Sequence, residues 1–490
     1  MDARLRIILA GFVAVNIALW WAAEHRTIAV ELSAGSLQSP EVIAAPQSKS
    51  LPTVTGVASC AAASCHGGPK ANQYSVSSFS YTAWADGDKH ARAFDVLFDA
   101  RSVRMAKLLG LGEPHQERRC LNCHSMQGSC EQALPESVLA DGVGCEVCHG
   151  NASKWRTIHY LPEWQTLSKS ERSEKFGYED LSTTMARGGK CVACHVGAEG
   201  RDVDHDLIAA GHPRLMFELA AYQRLQPIHW NTRGKAESHP DFSERSWSVG
   251  QALSIAAAAR LLSHRTEVAV AAEQQGAPSR WPELAEFDCY ACHHNLQTDR
   301  VQRSLGGSQR LGAPRWGSWE LAGASVLFDG QLGFVSSNGS SRLSTAISEL
   351  STTAEESFFA PDKLPAMRQA ADQVALRADE WANFLSNENK GHTPAPSRAI
   401  ATLVDDPKIV HNWDQAAQLF LALTALDQSA ERSSRQKDID NGLLNDLRQQ
   451  LRFSTDADSP ESFRIDTFRQ MLEQFRATDQ ASESLPEPKE

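Results

Sequence analysis

The sequence lacks an excess of positive charge. Among its 490 residues, 60 are Asp or Glu and 48 are Lys or Arg, which gives a formal net charge of −12 at pH 7. A protein that binds nucleic acid needs a basic surface to neutralise the phosphates. The charge balance therefore argues against nucleic acid as a partner.

The sequence also has little of the period-2 alternation of apolar and polar residues that is typical of β-strands. Apolar residues instead recur three or four positions apart, most clearly in the alanine-rich stretch from Trp247 to Glu273. The same pattern predicts helices at about 91–109, 365–386, 413–427, 435–453 and 459–476. We therefore expect a mainly α protein, whose C-terminal helices carry no motif with recognisable chemistry.

What the sequence does contain is a cysteine–cysteine–histidine cluster that recurs along the chain. The clusters are Cys60–Cys65–His66, Cys120–Cys123–His124, Cys145–Cys148–His149, Cys191–Cys194–His195 and Cys289–Cys292–His293. The last four read C-x-x-C-H, and the first is a C-x4-C-H variant. In this signature the two thiols form thioether bonds with a haem and the histidine coordinates its iron. The sequence therefore predicts five haems c, four at regular sites and one at an irregular first site.

Paired cysteines also hold structural zinc or carry out thiol redox chemistry. Zinc sites do not need a histidine after every second cysteine, and thiol-redox motifs rarely repeat five times. Of the 11 cysteines, five pairs leave only Cys130 unassigned. If the first haem were attached through Cys65 alone, Cys60 and Cys130 could form a disulfide; we favour two thioethers and a spare Cys130.

Each low-spin haem needs a second axial base besides its motif histidine. The candidates for these distal ligands lie between the motifs or next to them: His90, His115, His159, His205, His212 and His294. We rank His229 and His264 below them, and His239 last. Each of these histidines could instead be an ordinary residue that only makes hydrogen bonds. That alternative is weaker in a region that must supply so many iron ligands.

The N-terminus predicts export. Arg4 and Arg6 precede an apolar run from Ile7 to Ala23, which is close to the lower limit for a membrane span. No clear A-x-A cleavage site follows, so we favour an uncleaved signal anchor over a cleaved signal peptide. Either way the rest of the chain is expected in the periplasm or on the outer face of the cytoplasmic membrane, where c-type haems are attached.

The expected organisation follows from these features. It comprises a signal anchor or signal peptide (1–23), a flexible linker (24–55), a pentahaem cytochrome c domain (56–300), a connecting segment (301–335) and a helical C-terminal domain (336–490). Five haems shared among so few residues must pack against one another. We therefore expect a fold of short helices and loops around packed haems, because the porphyrins replace much of an ordinary core.

The order of motifs resembles the cytochrome c-554 family of multihaem electron carriers. The resemblance rests on WADGDKHARAF after the first cluster, on RRCLNCH, on DGVGCEVCHG and on GKCVACH, and it covers about residues 56–200. Trp84, His90 and Ala91 match the first family element, and Gly144, Glu146 and Gly150 match the third. The resemblance implies that His90 and His159 are distal ligands and that the haems pack in parallel and perpendicular pairs.

The same resemblance implies a five-coordinate second haem, at Cys120–Cys123. The chain departs from the family in its C-x4-C-H first site, its fifth cluster and its C-terminal helices. It also has His115 just upstream of the second cluster, with no family counterpart.

We therefore expect a relay that carries electrons from a quinol-linked membrane donor to an unidentified acceptor protein. The alternative is a reductase or oxidase of a small nitrogen or sulfur compound at one open haem. The sequence has no C-x-x-C-K motif, the catalytic site of pentahaem nitrite reductases, which favours the relay. A third possibility is a subunit whose C-terminal helices dock a partner complex.

Overall fold

The structure is a computed structural model, and it describes residues 54–69, 76–230, 242–293, 313–323, 338–386, 410, 412–427, 434–453 and 463–483. The predicted anchor at 1–23, nearly all of the linker, most of the connecting segment and His294 lie outside these residues. All described residues belong to one compact unit that begins at Pro52.

Short α-helices follow one another through the motif-bearing part of the chain. They are α1 (Ser80–Gly87), α2 (Ala100–Leu108), α3 (Arg118–His124), α4 (Glu136–Leu139), α5 (Cys145–His149), α6 (Pro162–Thr166), α7 (Lys169–Phe176), α8 (Thr184–His195), α9 (His205–Ala210) and α10 (Leu219–Leu225). Short 3-10 helices are interspersed with them and continue beyond them: Val57–Cys60, Val76–Phe79, Lys89–Arg92, Asp95–Phe98, Met126–Ser129, Leu284–Glu286, Cys289–Ala291 and Pro361–Lys363.

Long helices make up the rest of the described chain. They are α11 (Phe242–Gln274), α12 (Asn338–Ser357), α13 (Leu364–Ser386), α14 (Trp413–Asp427), α15 (Ser434–Gln450) and α16 (Ile465–Glu483). The sequence prediction missed α12 and placed α16 several residues too early. At 91–109 it predicted one helix, where the structure has two 3-10 turns and then α2.

Helix α11 is the centre of this helical part. Its residues 246–259 are all buried, and its many alanines allow neighbouring helices to approach closely. Helix α13 packs along it, and α12 packs against α13. The described part of the connecting segment joins the same core through Trp316 and Trp319. One continuous apolar core results.

The mainly α prediction is confirmed. The described residues contain no strand, only the isolated bridges Ala198–Arg201 and Phe287–Trp316. Among the same residues no helix has both the length and the hydropathy that a membrane crossing requires.

Candidate haem-binding sites

Three of the five clusters lie on α-helices. The second, third and fourth motifs form the C-terminal ends of α3, α5 and α8. Cysteines three positions apart on a helix project from the same side, so both thiols can face one porphyrin edge. The three-residue spacing thus has a direct structural cause in these helices.

The first and fifth clusters are built differently. Cys60 ends a 3-10 helix, and Cys65 lies in the turn that follows, where its backbone N–H donates to the carbonyl of Ala62 at 2.8 Å. The four intervening residues, two more than in the other motifs, therefore form a tight turn between the thiols. In the fifth cluster the N–H of His293 donates to the carbonyl of Cys289 at 2.7 Å, so that motif also closes into a single turn.

Glu146, inside the third motif, joins the first site to the third. Its carboxylate is buried and accepts hydrogen bonds from the backbone N–H groups of Thr55 and Gly56, each at 2.9 Å, and of Ala152 at 2.7 Å. Gly150 then ends α5 with φ of 78°, and a Cβ there would lie 2.1 Å from the carbonyl oxygen of Gly177. These two contacts explain why the motif reads C-E-x-C-H-G.

Thiols of different motifs lie against one another. Cys60 contacts Cys145, and Cys123 contacts Cys194; these hydrogen bonds lower the pKa of Cys60 and of Cys194 to about 6. Burial raises the pKa of Cys191 to about 12, and the nearby charge of Cys148 raises it further. All eleven cysteines are described and have free thiols, so no Cys60–Cys130 disulfide is present.

The histidine rings form four pairs, each with one motif histidine and one histidine from elsewhere in the chain. The pairs, with ring-centre distances, are His66–His159 at 6.0 Å, His195–His90 at 6.0 Å, His124–His212 at 6.4 Å and His293–His205 at 6.3 Å. No pair is adjacent in sequence. The arrangement is therefore a property of the tertiary structure.

These distances fit an iron between the two rings. A metal–imidazole nitrogen bond is about 2 Å long and the ring centre lies about 1.1 Å further on, so two axial imidazoles have centres about 6.2 Å apart. The residues present thus fit a haem iron, with the motif cysteines available to hold the porphyrin edge.

Hydrogen bonds orient many of the rings in the same way. Each of the following histidines donates from Nδ1 to an oxygen: His66 to Ser77 O at 2.7 Å, His90 to Asp88 Oδ1 at 3.0 Å, His124 to Ala93 O at 2.9 Å, His159 to Arg156 O at 2.7 Å, His212 to Pro213 O at 2.8 Å and His229 to Pro227 O at 3.1 Å. A proton on Nδ1 leaves the lone pair on Nε2, which is the nitrogen that such histidines offer to a metal.

Burial keeps several of these rings neutral. It lowers the pKa of both His149 and His195 to about 4, and it also lowers the pKa of His124, His212 and His229. Only a neutral imidazole can coordinate iron. At neutral pH these side chains therefore have the form that a haem requires.

The motif histidine of the third site, His149, has a different environment. Its ring donates to the backbone carbonyl of Glu179 and stacks on Tyr178 at 6.3 Å, and the charge of His229 acts on it. His229 is thus the candidate for the distal side of this site. The sequence ranked it low because nothing near it in the chain resembles a motif.

His115 is the distal candidate that the structure places away from every motif histidine ring. It stacks on Phe98 with ring centres 4.5 Å apart, and its Nε2 lies 3.3 Å from Nε2 of Gln116. His264 lies within α11, and His239 and His294 lie outside the described residues. The assignment of distal ligands as a whole stays a prediction.

Residues 59–150 match the family model described as cytochrome c554 and c-prime. This part of the chain is similar to the cytochrome c-554 family. Cytochrome c-554 of Nitrosomonas europaea is 28% identical over 132 residues, which cover 24% of this chain and 52% of that protein. The match therefore spans about half the length of this relative. The family model confirms the resemblance over the first three clusters, while the fourth and fifth clusters lie beyond residues 59–150.

No solved structure matches the chain. Among the described residues, no three His, Cys, Asp or Glu side chains converge as they would around a metal ion held by protein ligands alone. The cytochrome c-554 match implies covalently bound haem c, and the number of haems remains a prediction.

Proposed function

We propose that the protein is a multihaem c-type cytochrome that relays electrons along five covalently bound haems. The observation that carries the proposal is the set of four ring pairs with centres 6.0–6.4 Å apart. Haem supplies one-electron iron chemistry when bound, and a histidine on each side stabilises the iron without leaving a position for substrate. The chain contributes axial ligands, attachment points and spacing.

The order in which the sites adjoin supports a relay. Hydrogen bonds between thiols join the first site to the third (Cys60–Cys145) and the fourth to the second (Cys194–Cys123), and an electrostatic interaction joins the third to the fourth (Cys148–Cys191). The fifth site adjoins the second through Asp204, which pairs with Arg119 beside the second motif and precedes His205. Electrons would pass through the sites in the order first, third, fourth, second, fifth.

The proposal also includes the cellular location of the relay and its redox partners. The basic and apolar N-terminal segment supports a location on the outer face of the cytoplasmic membrane or in the periplasm, anchored or secreted. The donor would be a quinol-linked membrane protein and the acceptor another redox protein. Because the chain is acidic, a partner with a basic docking face is favoured.

Mass spectrometry of the purified protein tests the haem count. We expect five haem additions in the native protein and four in a Cys60→Ala, Cys65→Ala variant. Cys130→Ala is the matched control and should keep all five, since Cys130 belongs to no cluster. Four additions in the native protein would show that the first cluster binds no haem and is not part of the relay.

Electron paramagnetic resonance of the oxidised protein tests the role of the haems. A relay predicts low-spin signals for all irons. A reductase or oxidase of a small nitrogen or sulfur compound predicts a high-spin fraction that changes when nitrite or hydroxylamine is added. A high-spin signal that responds to these compounds would contradict the relay and support the reductase or oxidase.

A further inference from the structure

Helix α9 carries a histidine at each end. His205 is its first residue, and His212 follows its end at Ala210 by two residues. Six helical residues extend about 9 Å. The ring of His205 faces His293 of the fifth cluster, whereas the ring of His212 faces His124 of the second. One short segment therefore reaches two different sites.

The backbone around His212 holds its ring in place. Arg101 donates from Nε to the carbonyl of Gly211 at 2.6 Å, and His212 Nδ1 donates to the carbonyl of Pro213 at 2.8 Å. On the opposite side, His124 Nδ1 donates to Ala93 O at 2.9 Å. Both rings therefore have Nδ1 occupied and Nε2 free, with centres at the separation that two axial ligands of one iron require.

The start of α9 is tied to both sites through Asp204. Its carboxylate accepts from the backbone N–H of Leu207, which caps the helix, and pairs with Arg119 at 2.6 Å next to Cys120. The N–H of His205 donates to Glu283 Oε1 at 2.8 Å, just before the fifth cluster. The helix therefore cannot shift without disturbing contacts at both sites.

We propose that the segment from Asp204 to Pro213 supplies the sixth ligands of two irons, the second through His212 and the fifth through His205, and so closes the second iron to small ligands. The proposal rests on the proposed function, since it needs haem at both sites. It departs from the five-coordinate second haem that the family resemblance implies. It also makes the second site an interior member of the relay rather than a reaction site.

Carbon monoxide binding to the reduced, fully haem-loaded protein tests the proposal, because the gas binds ferrous haem only where an axial position is open. We expect no binding in the native protein and one carbon monoxide per protein in His212→Ala. His205→Ala should open one different position, and the double variant two. His115→Ala is the matched control and should bind none.

Two further measurements keep the test decisive. Imidazole added to His212→Ala should restore the low-spin absorption spectrum and block carbon monoxide. If that variant does not fold, His212→Met should fold with its iron still closed and the reduction potential of one haem raised, because methionine is also an axial ligand.

The outcomes separate this inference from the proposed function. Stoichiometric carbon monoxide binding by the native protein at the second haem, or a site opened by His115→Ala and not by His212→Ala, would overturn the inference and leave the relay standing. Absence of haem at Cys120–Cys123 in the mass spectrum would instead contradict the proposed function.

Discussion

Residues 54–230 and the helices from Phe242 onwards are stabilised in different ways. The first region has helices of 4 to 12 residues and two small apolar clusters, one around Phe94 and Leu121 and one around Trp155 and Trp164. The second has helices of up to 33 residues that enclose a continuous apolar core, to which only the last part of the first region contributes. The described residues of both regions form helices, but those of the first region have far fewer buried apolar side chains to stabilise them.

The difference in apolar core between the two regions indicates that haem would take part in the folding of the first region. In residues 54–230 the positions that would form a core are occupied by cysteines, histidines and their backbone partners. A few buried apolar residues cannot offset the conformational entropy of so many ordered ones. Porphyrin rings bound between the short helices would supply the missing apolar surface.

The largest effect should come from removing the haems. Protein made without covalent haem attachment should lose protease protection throughout residues 54–230, while the core of α11 and α13 stays protected. Limited proteolysis followed by mass spectrometry measures this, with the haem-loaded protein as the control. Equal protection of both regions in the haem-free protein would show that the contrast between them is not caused by the cofactor.

A smaller effect, confined to the second region, is expected from Trp381→Ala. Trp381 is 2% exposed in the core and stacks on Phe384, so its removal should lower the free energy of unfolding by about 3–5 kcal/mol. Urea denaturation followed by circular dichroism measures the loss. Leu376→Ala on the same helix is the control; Leu376 is 48% exposed, and its change should stay within about 0.5 kcal/mol. A haem spectrum altered by Trp381→Ala would mean that the two regions are less independent than their cores suggest.

Glu146→Gln tests how polar contacts substitute for a core in the first region. The amide keeps one acceptor oxygen and turns the other end of the side chain into a donor facing backbone N–H groups, so we expect a loss of about 1–3 kcal/mol. Thermal unfolding monitored at the haem absorption band reports it. Glu163→Gln, the same change at an exposed position, should leave the transition where it is. Equal unfolding temperatures in both variants would show that the buried carboxylate of Glu146 does not stabilise this region.

The smallest effect is expected at the start of α7. Ser168 and Glu171 form a capping box there, and Ser168→Ala should cost about 1 kcal/mol. Hydrogen exchange of the amides in α7 detects a local change of this size. Ser173→Ala inside the same helix should not increase exchange, because alanine is the better helix former. Matching exchange rates in the two variants would show that the cap adds nothing measurable.

Local patterns in the sequence were sufficient to predict several of the long helices. The helix predicted at 413–427 is found at Trp413–Asp427, because the spacing of apolar residues directly reflects the helical repeat. Helix α12 was missed because its apolar positions are diluted by serine and threonine. The irregular first cluster could be recognised as a pair of thiols, but the conformation of its backbone could not be predicted, since a turn with two extra residues has many possible conformations.

The pairing of histidines could not be derived in this way. His159 follows the third cluster by ten residues, yet its ring faces His66 of the first. His115 stands closest to the second cluster in sequence, yet the ring that faces His124 is that of His212. Contacts between distant residues depend on how the short helices pack, and no periodicity records them.

The sequence by itself determined the chemistry: which cysteines stand ready for a porphyrin and which histidines follow them, because attachment requires residues within one turn of backbone. Only the tertiary structure decided which second imidazole faces each motif histidine and in which order the sites adjoin. A histidine ring pair joins two segments that are separated along the chain by up to 105 positions, from His90 to His195, and its geometry exists only once the helices have packed.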